Sequence, residues 1–252
     1  MNEANQQRVE FAPGLVACAG GGLWLPSEET LLVADVHLGY AWAQRRKGQL
    51  GPLTDGAVHE KLLHLTERLR PRRLVVLGDL VHAARPAMEE RAVIERTLES
   101  LCQQMEMILV RGNHDRGFAR DFRGWPIRLA HYWQGHGVTA AHGDRCEFPV
   151  PEDDVLVLGH WHPSVSIRDA AGTTLRLPAF LVWRRFVVLP AFSPFASGFD
   201  VSRGLPPEMS AMLPSQDEPA EVLAVTAQRV RRLGRLQPRW RARRAARESA
   251  RS

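Results

Sequence analysis

Leu74-Val75-Val76-Leu77-Gly78-Asp79 decides the fold: four apolar residues in a row, then a glycine and a carboxylate. A continuous apolar run this short, bounded by a turn signal, reads as a strand buried on both faces, as in a parallel sheet. The same arrangement recurs along the chain. Leu31 to Ala34 stops at Asp35-Val36-His37, and Met107 to Val110 leads to Gly112-Asn113-His114-Asp115. Val138 to Ala141 leads to His142-Gly143-Asp144, and Val155 to Leu158 leads to Gly159-His160-Trp161-His162. Ligand sites of open α/β sheets form beyond the carboxyl ends of the strands. Each of these five runs delivers metal-binding side chains at that end.

The connections fit such a sheet. From Thr54 to Leu69, Val58, Leu62, Leu65 and Leu69 share one helical face, with Thr54 or Asp55 as the cap and Pro71 beyond the end. Ile94, Leu98, Leu101 and Met105 repeat that spacing. Strand alternating with helix predicts a mainly parallel sheet with right-handed crossovers. After Arg116 the pattern changes to short strands: Ile127 to Ala130, Val138 to Ala141, Val155 to Leu158, Val165 to Ile167, Thr174 to Leu177 and Arg185 to Leu189. Two packed sheets with helices outside accommodate both halves. Leu15 to Pro26 reads as a hairpin around Gly20-Gly21-Gly22, which lacks the Lys-Ser/Thr and following helix of a phosphate loop. Gly204 to Pro219 reads as a linker or surface excursion, and Val222 to Val225 as a last strand.

A chain of 252 residues suffices for one large α/β domain. Cys18, Cys102 and Cys146 lie far apart without a Cys-x-x-Cys pair, which excludes a disulfide framework or thiolate zinc site and points to a reducing compartment. Met1 to Pro13 has no apolar signal core, and no apolar stretch reaches the roughly 20 residues of a membrane span. A cytoplasmic protein is the expectation. From Arg229 onward ten arginines face one glutamate, so the net charge of +5 conceals a first part, residues 1–228, of about −4. The expected organisation is a catalytic domain at 1–234 and an Arg-rich tail at 235–252.

The end-of-strand residues suit metal chemistry. Asp35 and His37 are two apart, so on an extended strand end they point to one side and can share an ion. The Asp79 carboxylate has lone pairs enough to bridge two ions, Asn113 offers a neutral oxygen, and His142, His160 and His162 offer imidazole nitrogens. Nitrogen and oxygen without sulfur suit manganese, iron, zinc, nickel or cobalt better than calcium or magnesium alone. A single Asp-x-His is usually a turn pair, and Asp79 by itself could cap a turn. Five such pieces in this order are not an accident of composition. Two divalent ions roughly 3.5–4 Å apart supply a nucleophile at neutral pH and positive charge for phosphoryl oxygens, so a two-metal phosphoesterase is expected. His82, three residues beyond Asp79, and Arg116, two beyond His114, are candidate contacts to substrate phosphate. His59 and His64 read as helix-surface or packing residues, Trp161 as packing and Cys146 as a small buried thiol; His131 and His136 receive no role.

In this order the motifs resemble the calcineurin-like metallophosphoesterase superfamily, whose pattern is D-x-H, G-D, G-N-H-D/E, a later H, and G-H-x-H. The resemblance implies a four-layer α/β/β/α sandwich over roughly residues 10 to 234. Carried over, Asp35, His37, Asp79 and His162 hold one ion, and Asp79, Asn113, His142 and His160 hold the second, with Asp79 between them. His114 matches the catalytic histidine, Asn113 assists it, and Asp115 orients His114 or a ligand. Longer stretches are similar to the bacterial ligase-associated DNA damage response endonucleases: Asp35 to Gly39, Arg45 to Gly48, Gly78 to His82, Arg111 to Arg116, Pro178 to Phe180, Arg184-Arg185 and Leu189 to Phe192. Tyr40 stands where that family is expected to carry lysine. The similarity implies a manganese-dependent DNA phosphodiesterase in repair, with a DNA ligase, a helicase and a nuclease of the same cluster as partners. One competing reading is a small-molecule or lipid-linked phosphodiesterase, such as a UDP-diacylglucosamine pyrophosphatase. His114 stands where that enzyme usually has arginine, and an apolar lid insertion is missing. The other is a metal-dead scaffold, which the unbroken ligand set opposes.

Overall fold

Along Thr30–Ala34 the side chains alternate between two cores: Leu32 and Ala34 face a second sheet, while Leu31 and Val33 face helices. Val75 and Leu77 against Leu74 and Val76, and Ile108 and Val110 against Met107 and Leu109, repeat the division. Strands apolar on both faces therefore place this sheet inside the molecule. The structure is a computed structural model and describes residues 7–48, 55–83, 86–145, 147–168, 171–196, 198–213 and 218–236.

The first sheet runs in sequence order: β1 (Arg8–Ala12), β2 (Leu15–Cys18), β3 (Leu23–Leu25), β4 (Thr30–Ala34), β5 (Arg73–Leu77), β6 (Glu106–Val110) and β7 (Ile127–Ala130). β1 to β4 pair antiparallel, and β4 to β7 parallel. Its helices are α1 (Tyr40–Arg46), α2 (Asp55–Leu69), α3 (Met88–Cys102) and the short α4 (Phe118–Asp121). Val58, Leu62, Leu65 and Leu69 of α2 and Ile94, Leu98 and Leu101 of α3 are buried against the outer face, as the spacing predicts. Met105 is a correction: α3 ends at Cys102, and Met105 packs on the same core from the turn that follows. The expected cap at Thr54 or Asp55 falls outside the described side chains.

The second sheet contains β8 (Trp133–Gly135), β9 (Val138–Ala141), β10 (Val155–Leu158), β12 (Thr174–Val182), β13 (Phe186–Val188), β14 (Ala220–Val225) and β15 (Val230–Leu236), in the order β15-β14-β12-β13-β10-β9-β8. β11 (Ser164–Arg168) pairs with the far end of β12. β9, β10 and β13 are parallel, and the other pairings are antiparallel. Both sheets are mixed and helices lie outside them, which gives the α/β/β/α sandwich. The helical cover of the second sheet comes from an unexpected place. The Gly204 to Pro219 stretch is no mere linker: it folds α5 (Pro207–Met212), whose Met209 is fully buried in the outer core of that sheet. Pro206 and Pro207 set the backbone for a helix start, so a proline-rich composition is compatible with a packed turn of helix.

Four of the ten C-terminal arginines also change their meaning. Arg231, Arg232 and Arg235 stand on β15, an edge strand, and Arg229 just precedes it. Charged side chains on a sheet edge oppose pairing with another chain. Arg232 binds the Glu221 carboxylate and the Glu10 carbonyl, joining the edges of the two sheets. Residues 237–252, most of the expected tail, lie outside the described residues. No helix among the described residues is long and apolar enough to cross a membrane.

Segment 189–193 joins the sheets at the end where the polar residues gather. Leu189 donates to the Leu158 carbonyl, Phe192 to that of Ala34, and Ser193 to that of Asp35.

Candidate metal centre

Asp35 leaves β4 with a left-handed backbone, and so do His37, Asp79, His160 and His162 at their strand ends. These five make up most of the eight non-glycine residues in that region among the described residues, and a side chain there costs about 1–2 kcal/mol. Strain concentrated at the candidate ligands marks a place where the backbone is held to aim side chains. The turns hold one another: His37 donates to the Asp79 carbonyl (2.8 Å) and Asp35 to the Gly78 carbonyl (3.2 Å). Two of the glycines are steric requirements. A Cβ on Gly78 would strike the His142 ring, and one on Gly159 would meet Ala34 Cβ at 2.7 Å and Asp35 Oδ2 at 3.0 Å.

The structure brings together Asp35, His37, Asp79, Asn113, His114, His142, His160 and His162. Asp35 is fully buried; its Oδ2 accepts the His160 backbone N–H (2.8 Å). Its Oδ1 lies 3.1 Å from His162 Nε2 and 3.8 Å from His142 Nδ1, yet has no well-aligned hydrogen bond. Two groupings that could hold an ion contain Asp35: Asp35, His37 and His162, and Asp35, Asp79 and His142. In both the shared residue is Asp35, whereas the sequence reading puts Asp79 between the ions. Asp79 Oδ1 accepts the His114 backbone N–H (2.9 Å), and Oδ2 faces His142 Nε2 (3.6 Å) and His114 Nε2 (3.9 Å).

His142 tests whether a cation belongs here. Its Nδ1 lies 3.0 Å from the Leu77 carbonyl, an acceptor, so Nδ1 carries the proton and Nε2 of the neutral ring presents a lone pair. That lone pair points among Asn113 Oδ1 (3.0 Å), His160 Nδ1 (3.1 Å) and Asp79 Oδ2 (3.6 Å). Lone pairs converging without enough protons to join them repel, unless a cation sits between. The buried and unpaired Asp35 Oδ1 and His37 Nδ1 fit the same account. The residues present fit divalent ions.

Protonation follows the same division. Burial pushes the Asp35 pKa up, but the close approach of the His162 ring and the other nearby imidazoles outweigh it and hold the carboxyl below its usual range. Asp79 is raised, chiefly by burial. Burial drives His37 down to about 3, and burial with the neighbouring His142 lowers His160. His162 is raised, because its contact with Asp35 outweighs its burial. Neutral imidazole is the metal-binding form.

Asp115 accepts backbone N–H groups from Gly112 (2.9 Å), Asp79 (2.7 Å), Leu80 (3.0 Å) and Val81 (3.4 Å). It thus clamps the β5 turn to the β6 turn and acts on the backbone of Asp79; the hydrogen bond that orients the His114 ring comes from elsewhere. His114 is oriented by the His82 carbonyl, 2.8 Å from its Nδ1, which leaves Nε2 open. The His82 ring stacks on His114 at 5.3 Å and forms, with His37, a third close grouping of donors. Burial lowers its pKa to about 4, with help from His114 and Lys47. Tyr40 contacts His82 edge-on (4.7 Å) and stacks on Phe195 (6.1 Å). Trp161 packs against the His160 ring.

Arg116 lies one step away, on a cavity that Asn113 and His142 also line. His59 and His64 stay on α2, and His136 sits in the turn between β8 and β9. Cys146 lies outside the described residues. The sequence reading missed His131, which accepts a hydrogen bond from Arg111 (2.8 Å) on that cavity. The signal was present: His131 directly follows β7, as the other site residues follow their strands.

The model of the calcineurin-like phosphoesterase family matches residues 29–201. Among solved structures, the Pseudomonas putida nuclease MPE aligns with a TM-score of 0.68 and 26% identity, covering 91% of this chain and 100% of that one. No curated protein matches the chain. The family match spans every candidate ligand as well as His114 and Asp115, and the donor set they form fits divalent ions. This chain belongs to the calcineurin-like phosphoesterases and is a metal-dependent phosphoesterase.

Proposed function

We propose that the chain is a nuclease: it hydrolyses phosphodiester bonds of DNA in repair, in the cytoplasm, with two divalent ions of which manganese is the first choice. The observation that carries this reading is the convergence of carboxylate, amide and imidazole lone pairs around His142 Nε2, next to an open His114 Nε2. Its nucleic-acid side is supported by the likeness to a bacterial nuclease. A DNA ligase, a helicase and a second nuclease are the partners the resemblance suggests.

When bound, a pair of ions supplies a nucleophile from water at neutral pH and positive charge for the phosphoryl oxygens. Asp35, His37, Asp79 and His162 would hold one, and Asp79, Asn113, His142 and His160 the other, with Asp79 between. Asn113 and His114 offer hydrogen bonds to the charge that develops on phosphorus oxygens. With Nδ1–H engaged by the His82 carbonyl, His114 in its imidazolium form would give the Nε2 proton to the leaving alkoxide and be left as the neutral Nδ1–H ring. His82 and Arg116 would contact the substrate phosphate, and Asp115 keeps the Asp79 turn in place.

A metal-by-substrate screen tests the reading. Metal-free protein is given Mn, Fe, Zn, Ni, Co or Mg, and assayed on single-stranded DNA, duplex DNA, bis(p-nitrophenyl) phosphate and a nucleotide pyrophosphate. Cleavage of DNA and of the small diester with manganese is expected. Turnover of the pyrophosphate alone would overturn the nuclease reading.

A further inference from the structure

Beside the candidate metal centre lies a cavity of about 370 Å³, within the roughly 300–1,000 Å³ usual for ligand sites. Asn113 and His142 form its inner wall, so it opens onto the place where a phosphodiester would react. Arg111 and Arg116 line it, one on each side of the Gly112-to-Asp115 turn. Arg111 continues β6, its backbone N–H bound to the Ala130 carbonyl (3.0 Å), and its guanidinium donates to His131 Nε2 (2.8 Å) at the end of β7. The identity of that anchor matters. An arginine held by a carboxylate is neutralised, whereas one tethered by the lone pair of an imidazole keeps its full charge. Four further N–H donors of the guanidinium remain for a ligand. Arg116 makes no side-chain hydrogen bond or ion pair among the described residues.

None of the acidic groups of the cavity forms an ion pair with Arg111 or Arg116 among the described residues. Asp115 is buried and bound to four backbone N–H groups. Asp144 stands 3.9 Å from the third arginine, Arg145, and Glu147 completes the exposed lip. Two exposed guanidinium groups without a carboxylate partner among the described residues, one of them tethered to an imidazole, line the cavity beside the reacting diester and offer the paired N–H donors that recognise a second phosphate.

We infer that Arg111, held by His131, and Arg116 seat the phosphate next to the scissile one on the Asn113 and His142 side, so that the preferred substrate is an oligonucleotide continuing past the cleaved bond. This rests on the phosphodiesterase reading above and goes beyond it. A substrate carrying the adjacent phosphate should react faster than one that ends at the scissile diester, independent of base sequence. The adjacent phosphate can lie 5′ or 3′ of the cut, and the favoured side gives the polarity of the bound strand.

The test compares kcat/KM for bis(p-nitrophenyl) phosphate, a dinucleoside monophosphate, and the same dinucleotide with an added 5′- or 3′-terminal phosphate. The proteins are the parent, Arg111→Ala, Arg111→Lys, His131→Ala and, as a charge-loss control, Arg72→Ala at the opposite end of β5. In the parent one terminal phosphate should raise kcat/KM roughly 10-fold or more, the scale of a charge-assisted hydrogen bond. Expressed as a ratio to the small diester, which reads the state of the metal centre in each variant, that gain should vanish in Arg111→Ala. It should shrink in Arg111→Lys and His131→Ala and persist in Arg72→Ala. A parent that cleaves both unphosphorylated diesters without any gain overturns the subsite alone, as does Arg111→Ala with the full gain. A parent that cleaves no diester overturns the phosphodiesterase reading and the subsite together.

Discussion

As candidate ligands, the turns of the first sheet bring two carboxylates, an amide and one imidazole, Asp35, Asp79, Asn113 and His37; those of the second bring imidazoles alone, His142, His160 and His162. The first set is locked: its turns exchange backbone hydrogen bonds, and Asp115 binds four N–H groups across them. The second set is graded, with His142 at 1% exposure while His160 and His162 reach solvent. Fixed negative charge thus lies deep on one side, and donors that can be neutral lie on the other. Buried carboxylates are costly without a cation, whereas a neutral imidazole is not. The first sheet should therefore decide whether ions bind, and the second how they are exposed to substrate.

The strongest way to break this division is Asp79→Ala. It should reduce hydrolysis by more than about 10³-fold, beyond what one stabilising donor is usually worth, and lower bound metal as read by elemental analysis. Because an ion that binds only the folded state stabilises it, manganese should raise the melting temperature of the parent and raise that of Asp79→Ala far less. A metal-replete Asp79→Ala enzyme with full activity would show that the carboxylate half does not govern binding.

His114 sharpens the comparison, because it stands on the first sheet but is open to solvent. His114→Ala should keep the metal content and lose turnover by roughly 10²–10⁴-fold, the range of a general acid. Aryl diesters, whose leaving groups need less protonation, should lose less. A fall in metal content that parallels the fall in activity would make His114 a ligand.

How much of this was legible in the sequence depends on the range of the physics. Asp35, Asp79, Asn113, His142 and His160 announce themselves because an apolar strand ends at each, a local pattern. The helix faces of α2 and α3 are equally local. β15 is different: three arginines and a run of exposed positions hide it, and only its pairing with β14 makes it a strand. Likewise α5 owes its existence to the apolar outer face of the second sheet, which Met209 covers. Three of the four partners of Asp115 come from residues more than 30 positions away in the chain, so its clamp could not be read from the Gly112-to-Asp115 motif. Arg111 and His131 meet only because β6 and β7 are neighbours.

Asp115→Asn addresses that clamp. An amide offers one acceptor oxygen, and its NH₂ would face N–H donors, so at least one buried backbone group loses its partner. Metal affinity should fall roughly 10–100-fold, as for residues that orient ligands without touching the ion. Titration of metal-free protein with manganese measures it, and unchanged affinity would reduce Asp115 to a fold residue.

At the seam between the halves the expected effect falls on stability alone. Lys61 reaches from α2 to the Phe192 carbonyl (2.5 Å) and lies 4.1 Å from the centre of the Phe192 ring. Phe192 and Ser193 in turn donate to the carbonyls of Ala34 and Asp35, so this lysine supports the segment that ties the second sheet to the first ligand. Burial pushes its pKa from 10.5 down to about 7. Between those values the unfolded chain holds a proton that the folded chain has released, so stability rises as pH increases from about 7 towards 10.5. Below pH 7 both states are protonated and the contribution is constant. Lys61→Met removes the titration, and the lost hydrogen bond to Phe192 is missing at every pH, so the slope isolates the buried charge. Denaturant unfolding of metal-free protein between pH 7 and 9.5 should show the parent gaining on the variant by up to about 1.4 kcal/mol per pH unit. Parallel pH profiles for the two proteins would mean that the Lys61 ammonium is solvated in the folded state and that the seam is held by backbone hydrogen bonds alone.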